Sequence, residues 1–181
     1  MNEWIEIILI GISLAMDALA VSVALAAAER KEFGWGKILL TAGAFGLFQA
    51  LMPLAGWFGG CLAGAIFQAF GKYIAAALLA FIGGKMIVDS RNGENVLFSY
   101  RMLIVLAFAT SIDALLVGVS FACLQQPYVG LSVLLIGIIT TLISAAGCFV
   151  GRIFGSIFDG KCEIAGGVVL IGIGIKVLLF N

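Results

Sequence analysis

Histidine is absent from this 181-residue chain, which removes the commonest ligand for zinc, copper and nickel together with a common proton relay. Charge is scarce: only 11% of residues are Asp, Glu, Lys or Arg, and they cancel to a net charge of zero, so no nucleic acid or other bulk electrostatic partner is implied. Cysteines are few and scattered. Cys61, Cys123, Cys148 and Cys162 form no CxxC pair and lie in or beside apolar segments, a pattern expected of buried, inert thiols. No glycine-rich loop is followed by Lys-Ser or Lys-Thr, so no nucleotide site is expected. No nucleophile, base and orienting residue fall into a catalytic pattern either, and the expectation is neither an enzyme nor a cofactor.

What the chain has in their place is hydrophobic side chains, 63% of the total, with a mean hydropathy of +1.21. That composition belongs to an integral membrane protein. A helix needs about 20 apolar residues to cross roughly 30 Å of hydrocarbon. Six stretches qualify, near 4–28, 38–60, 72–89, 102–124, 128–151 and 163–180. The first has no basic region or cleavage site typical of a signal peptide and reads as a retained helix. Arg30, Lys31, Lys37, Arg91, Arg101, Arg152 and Lys161 gather in the odd-numbered loops, with Lys85 close by, whereas the other side has Lys72 and Lys176. The positive-inside rule makes the odd loops cytoplasmic and both termini extracytoplasmic, in a multi-pass protein of the bacterial inner membrane.

Two acidic residues interrupt this apolar pattern at matching places. Asp17 lies inside the stretch Trp4 to Ala28, and Asp113 inside Met102 to Leu124; Met16-Asp17-Ala18-Leu19 and Val21 align with Ile112-Asp113-Ala114-Leu115 and Val117. The similarity extends further. Residues 54–67 match 145–158 at an offset of 91, with seven identities in fourteen positions, including Ala55/Ala146, Gly56/Gly147, Gly60/Gly151 and Gly64/Gly155. Leu79, Ile82, Gly83 and Lys85 match Leu170, Ile173, Gly174 and Lys176 at the same offset. The expected fold is therefore all-α, six transmembrane helices built as two three-helix repeats, 1–91 and 92–181, in one membrane domain. An odd number of spans per repeat makes the second half enter the membrane from the opposite side, which gives inverted topology and a pseudo-two-fold axis in the membrane plane. Such an axis brings Asp17 and Asp113 together at mid-depth.

A carboxylate near the bilayer centre costs roughly 2.5 to 3.5 kcal/mol on insertion scales, and a pair of them reads by default as an ion or proton site. Ser13 lies one helical turn before Asp17, and Thr110 three residues before Asp113. Hydroxyls, carboxylates and carbonyls freed by local unwinding would suit a divalent cation such as Mn²⁺, Mg²⁺ or Ca²⁺. Gln49 aligns with Thr140, and Pro53, four residues on, frees the Gln49 carbonyl because proline has no N–H to donate. The expected metal-site set is Asp17, Asp113, Gln49, Ser13, Thr110 and Thr140. Met16 and Met52 could add a thioether but read first as packing. The glycines at every fourth residue, 56, 60 and 64 and again 147, 151 and 155, read as helix-packing surfaces. Lys85 and Lys176 are expected to snorkel to the interface, with pairing to an aspartate the less favoured alternative.

With these features in hand the chain resembles the MntP family of bacterial manganese efflux pumps. The resemblance rests on Ser13-Leu14-Ala15-Met16-Asp17-Ala18-Leu19-Ala20-Val21-Ser22, on Pro53-Leu54-Ala55-Gly56-Trp57, on Gly83-Gly84-Lys85-Met86-Ile87, on Ala109-Thr110-Ser111-Ile112-Asp113-Ala114 and on the glycine-rich run Gly166 to Gly174. It implies a small inner-membrane Mn²⁺ exporter in which Asp17 and Asp113 are essential. The family pattern has a glutamate in helix 2 where this chain has Gln49, which bears on cation preference and on the number of protons exchanged. Exporting a divalent ion against 100 mV costs about 4.6 kcal/mol, so efflux needs a coupled source, and without a nucleotide site proton antiport is the simplest. The expected partners are a divalent cation, protons and the bilayer, with oligomeric state open. The alternatives are a passive divalent-cation channel and a divergent relative exporting another cation; an anion exporter would want fixed positive charge at mid-depth.

Overall fold

The computed structural model describes residues 3–29, 33–91, 99–157 and 162–180, and among them every regular element is an α-helix. Hydrocarbon offers no water to pair exposed N–H and C=O groups, so an apolar chain of this composition satisfies its backbone within helices. The elements are α1 (Glu3–Glu29), α2 (Trp35–Arg91), α3 (Tyr100–Thr110), α4 (Ile112–Cys123), α5 (Val129–Ile157) and α6 (Cys162–Phe180). Trp4–Glu29, Trp35–Gly60, Tyr100–Cys123 and Val129–Ile153 are each long and apolar enough to cross a membrane, and Tyr73–Gly84 and Gly167–Lys176 are shorter apolar helices. The chain is thus a multi-pass membrane protein.

Two departures from the expected spans carry structural meaning. Residues 61–71, expected as a loop, are helical, so α2 continues through both expected spans with one interruption at Gly60. Gly60 has φ 59° and ψ −165°, a region open in practice only to glycine. Among the described residues nothing lies within 4 Å of a Cβ built there, so Gly60 forms a kink in α2 and makes no close helix contact with them. The second departure is at Ser111, where the expected fourth span breaks into α3 and α4.

Glycine decides how closely the helices meet. A Cβ on Gly147 would crowd the Leu19 carbonyl and Ser22, and one on Gly151 would overlap the Val23 carbonyl, so α5 lies directly on the backbone of α1. Gly11 meets Ile136 and Ile139 at the other end of the same contact, which makes α1 and α5 run in the same direction. A Cβ on Gly56 of α2 would overlap the Leu115 carbonyl of α4, and one on Gly118 would overlap the Pro53 carbonyl. Gly46 faces Thr141 and the Gly137 carbonyl, while Gly137 faces Ala50 and the Gly46 carbonyl. Gly83 and Gly167 each lie against the other's carbonyl oxygen, and Gly174 meets the Ala76 carbonyl.

Aromatic pairs mark two levels along the bundle. Trp4 at the start of α1 stacks on Tyr128 just before α5, with ring centroids 5.9 Å apart, and Trp35 at the start of α2 meets Phe149 near the end of α5 edge-on at 5.0 Å. Tryptophan and tyrosine favour the headgroup level, so these pairs fit the two membrane faces. Near the second level, Lys37 Nζ pairs with Glu29 Oε2 and closes the turn between α1 and α2.

Cys148 is a buried free thiol, as expected. Cys123 is not: it is disulfide-bonded at the end of α4, which corrects its reading as an inert thiol. Arg30, Lys31 and Lys161, and the side chains of Cys61, Lys72, Lys85, Arg91 and Cys162, lie outside the described residues.

Candidate functional site

Asp17 sits in mid-α1, thirteen residues after Trp4 and twelve before Glu29, so roughly 20 Å of helix separates it from either end. Its surroundings hold an unexpected partner. Lys176 Nζ on α6 lies 3.0 Å from Asp17 Oδ1, with 61% of the lysine side chain exposed and 17% of the aspartate. Lys176 therefore does not simply snorkel away, and positive charge does reach mid-depth, in the form of a counter-ion to a carboxylate. Its place at the repeat position of Lys85 was the sequence signal for a shared role; the Lys85 side chain is outside the described residues.

Asp113 is placed differently, in the first turn of α4 just after the break at Ser111. The α3 ladder ends at Thr110, and hydroxyls take over part of its work. Thr110 Oγ1 donates to the Leu106 and Ala107 carbonyls, Ser111 Oγ donates to the Ala107 carbonyl at 2.7 Å, and Ser111 N–H donates to the Phe108 carbonyl. The Ala109 and Thr110 carbonyls follow those and end the helix without α3 donors. On the other side of the break, Asp113 Oδ1 accepts the Ala114 N–H at 2.8 Å. An aspartate in a first helical turn is favoured by the exposed N–H groups and the positive end of the helix dipole. The unwinding expected beside an ion site is present at Asp113, whereas α1 runs unbroken through Asp17.

The two acidic helices are joined through the first arm of α2. Gln49 is fully buried, and its Nε2 donates to the Leu14 carbonyl of α1, 3.1 Å away and one turn before Asp17. Four residues later Pro53 packs on Gly118 of α4, five residues beyond Asp113. Asp113 lies within electrostatic reach of both Asp17 and Lys176. Among the described residues, Gln49 Oε1 and Thr140 Oγ1 are buried without a hydrogen-bond partner. Ser13 is exposed on α1, Thr110 is buried with its hydroxyl proton committed to carbonyls, Met16 is half exposed, and Met52 packs against apolar neighbours. Among the described residues no three His, Cys, Asp or Glu side chains cluster, so any cation held here relies on two carboxylates and neutral oxygens.

Comparison with known proteins follows the same lines. Residues 32–178 match the family model Mntp, described as "Putative manganese efflux pump". A protein of that name from Sorangium cellulosum is 45% identical over 96% of this chain and 94% of its own length. One from Methanothermobacter thermautotrophicus is 44% identical over 99% of this chain and 97% of its own length, and one from Bifidobacterium adolescentis is 46% identical over 96% and 95%. No solved structure matches. The family is one of transporters and not of enzymes. On near end-to-end similarity at this level, the chain belongs to the MntP family of manganese efflux pumps.

Proposed function

We propose that this chain exports a divalent cation, Mn²⁺ by the name its relatives carry, in exchange for protons, and that the ion is held between Asp17 and Asp113. One observation carries the reading. Each acidic helix is crossed two residues past its carboxylate by the corresponding glycine of the other half: Gly147 at Leu19, and Gly56 at Leu115. Other contacts pair in the same way at the offset of 91, Gly46 with Gly137 and Ala50 with Thr141, or Gly83 on Gly167 with Gly174 on Ala76. These reciprocal contacts support six spans in two inverted repeats, 1–91 and 92–181, with the site at their interface. The basic odd loops support extracytoplasmic termini in the plasma membrane.

In this reading the metal-free carrier keeps its site balanced from within. Lys176 offsets part of the charge of the two aspartates, as the metal or protons do at other points of the cycle. An arriving divalent ion displaces the ammonium from Asp17, bridges to Asp113, and completes its shell with Gln49 Oε1, the hydroxyls of Ser13, Thr110 and Thr140, and the carbonyls unwound at the break. Protonation of the aspartates on the outer side then lowers their hold on the metal. Gln49 supplies a neutral oxygen where the family pattern has a carboxylate, so the site's negative charge comes from the two aspartates alone.

Uptake into inverted vesicles, with Mn²⁺ compared against Mg²⁺, Ca²⁺, Fe²⁺ and Cd²⁺, tests the proposal. Saturable Mn²⁺ uptake that collapses when the pH gradient is removed is the expected result; non-saturating flux indifferent to the gradient would instead identify a channel. In the same assay Lys176→Met removes a competitor for Asp17. An exposed ion pair is worth ~1 kcal/mol at most, so the half-saturating Mn²⁺ concentration falls by up to about fivefold. An unchanged or higher value would remove Lys176 from the binding cycle.

A further inference from the structure

The two halves of α1 differ on either side of Asp17. Glu6, Ser13 and Asp17 fall within about 40° of one another at 100° per residue, so they share one helix face, which runs roughly 16 Å from Asp17 to Glu6. Glu6 and Ser13 are exposed. Ile5, Ile8, Leu9, Ile12 and Met16 are exposed too, but they occupy an adjoining face whose chemistry suits hydrocarbon. Toward the other end of α1 the polar face closes. Ala24 and Ala28 continue it, are buried, and belong to the apolar core with Leu79 and Ile82 of α2 and Leu170 and Ile173 of α6.

The length of α6 accounts for the difference. α5 runs with α1, and the four residues between α5 and α6 are too few to recross the membrane, so α6 runs against α1. Its ion pair with Asp17 is made by Lys176, only four residues or about 6 Å before α6 ends at Phe180. On that side α1 continues fourteen residues beyond Asp17 to Glu3, about 21 Å. Past Lys176, then, α6 no longer covers the face that carries Ser13 and Glu6. The Lys176 side chain, 61% exposed, opens toward the same uncovered side.

We propose that Ser13 and Glu6 form the extracytoplasmic exit of the transported cation, a wet lane over the end of α6 that leads from Asp17 past Ser13 to the Glu6 carboxylate at its mouth. Its occupant is a hydrated divalent cation. Charge facing hydrocarbon is costly, so the open side of the Asp17–Lys176 pair faces water, while the apolar face beside it faces lipid. Ser13 offers an oxygen one turn from Asp17, and Glu6 supplies the next negative charge along the face, two turns further. An acidic mouth concentrates cations and speeds their passage. The outward direction rests on the exporter reading and its extracytoplasmic termini; the lane itself rests on the geometry alone.

Thiol labelling of the full chain in membrane vesicles tests the lane. Ser13→Cys changes one atom at an exposed position, and Ile12→Cys puts the same thiol on the exposed apolar face. Each is treated with membrane-impermeant thiosulfonates, one carrying a quaternary ammonium and one a sulfonate, from the outer side in right-side-out vesicles and from the inner side in inverted ones. Labelling above that of the unsubstituted chain is read by mass spectrometry. A thiol in apolar surroundings stays protonated and unreactive, so a wet lane predicts outer-side labelling of Ser13→Cys at least about tenfold faster than of Ile12→Cys. Adding Glu6→Gln then lowers the ratio of cationic to anionic rates at Ser13→Cys by about threefold or more at low salt, because a unit charge two turns away is lost. Equal rates at the two positions, or fast labelling of Ser13→Cys from the inner side alone, overturns the lane; an unchanged ratio in Glu6→Gln removes Glu6 from it. The readout needs no transport, so a chain that labels as expected yet moves no metal refutes the exporter reading alone, and one that exports normally with equal labelling refutes the lane alone.

Discussion

Asp17→Asn and Asp113→Asn each abolish Mn²⁺-stimulated proton movement in liposomes, with residual exchange at least about 100-fold below that of the unsubstituted chain. Loss of groups that merely support metal ligands costs 10- to 100-fold, so loss of a direct charged ligand belongs at or beyond the top of that range. Asparagine retains the size and one oxygen of aspartate, which isolates charge as the cause. The two variants differ in a second respect. Asp17→Asn leaves Lys176 without its partner at 3.0 Å, whereas Asp113→Asn leaves that pair intact and weakens the cap of α4, where Asp113 Oδ1 accepts the Ala114 N–H. Equal loss of exchange with a lower unfolding temperature only in Asp113→Asn would therefore match both roles of Asp113. Full exchange in both variants would remove the aspartates from the mechanism.

The second large effect is a reversal of sign among glycine substitutions. Alanine in an exposed helix interior is favoured over glycine by up to about 1 kcal/mol. Gly43 and Gly172 are exposed, with no described residue within 4 Å of a built Cβ, so Gly43→Ala and Gly172→Ala leave stability unchanged or raise it. Gly56→Ala and Gly118→Ala bring a methyl group onto the Leu115 and Pro53 carbonyls, where the obstacle is backbone and no rotamer change relieves it. Overpacking of this kind costs about 1–3 kcal/mol or more, and at 2–4 °C per kcal/mol for a chain of this size the unfolding temperature falls by roughly 5–10 °C. Thermal unfolding in detergent, followed by circular dichroism, separates the two groups; similar shifts at all four positions would contradict the close approach of α2 and α4.

Much of this was legible in the sequence because the apolar runs are long and polar residues inside them are rare. The position of Asp17 in mid-helix, the burial of Gln49 and the packing role of Gly56, Gly147 and Gly151 all follow from pattern and spacing. The kink at Gly60 did not, since Gly60 and Gly151 share a repeat position yet, of the two, Gly60 alone takes a positive φ, so local composition does not decide it. Nor did the break at Ser111. The α3–α4 segment has no proline and reads as one apolar span, so nothing in its composition marks the interruption. The Lys176 contact was half visible: the repeat paired Lys176 with Lys85, but snorkelling, a rule for isolated helices in lipid, was outweighed by a carboxylate on the adjoining helix. The disulfide at Cys123 has no counterpart in local spacing, because cysteine pairing follows the fold.

Electron paramagnetic resonance titration of Mn²⁺ into purified protein in lipid nanodiscs tests the central claim most directly, since free and bound Mn²⁺ give distinct signals and no transport step intervenes. Two carboxylates sharing one cation predict one tightly bound Mn²⁺ per chain, lost in Asp17→Asn and lost equally in Asp113→Asn. Binding that persists at one ion per chain in either variant, or two independent ions in the unsubstituted protein, would show that the aspartates do not form a common site.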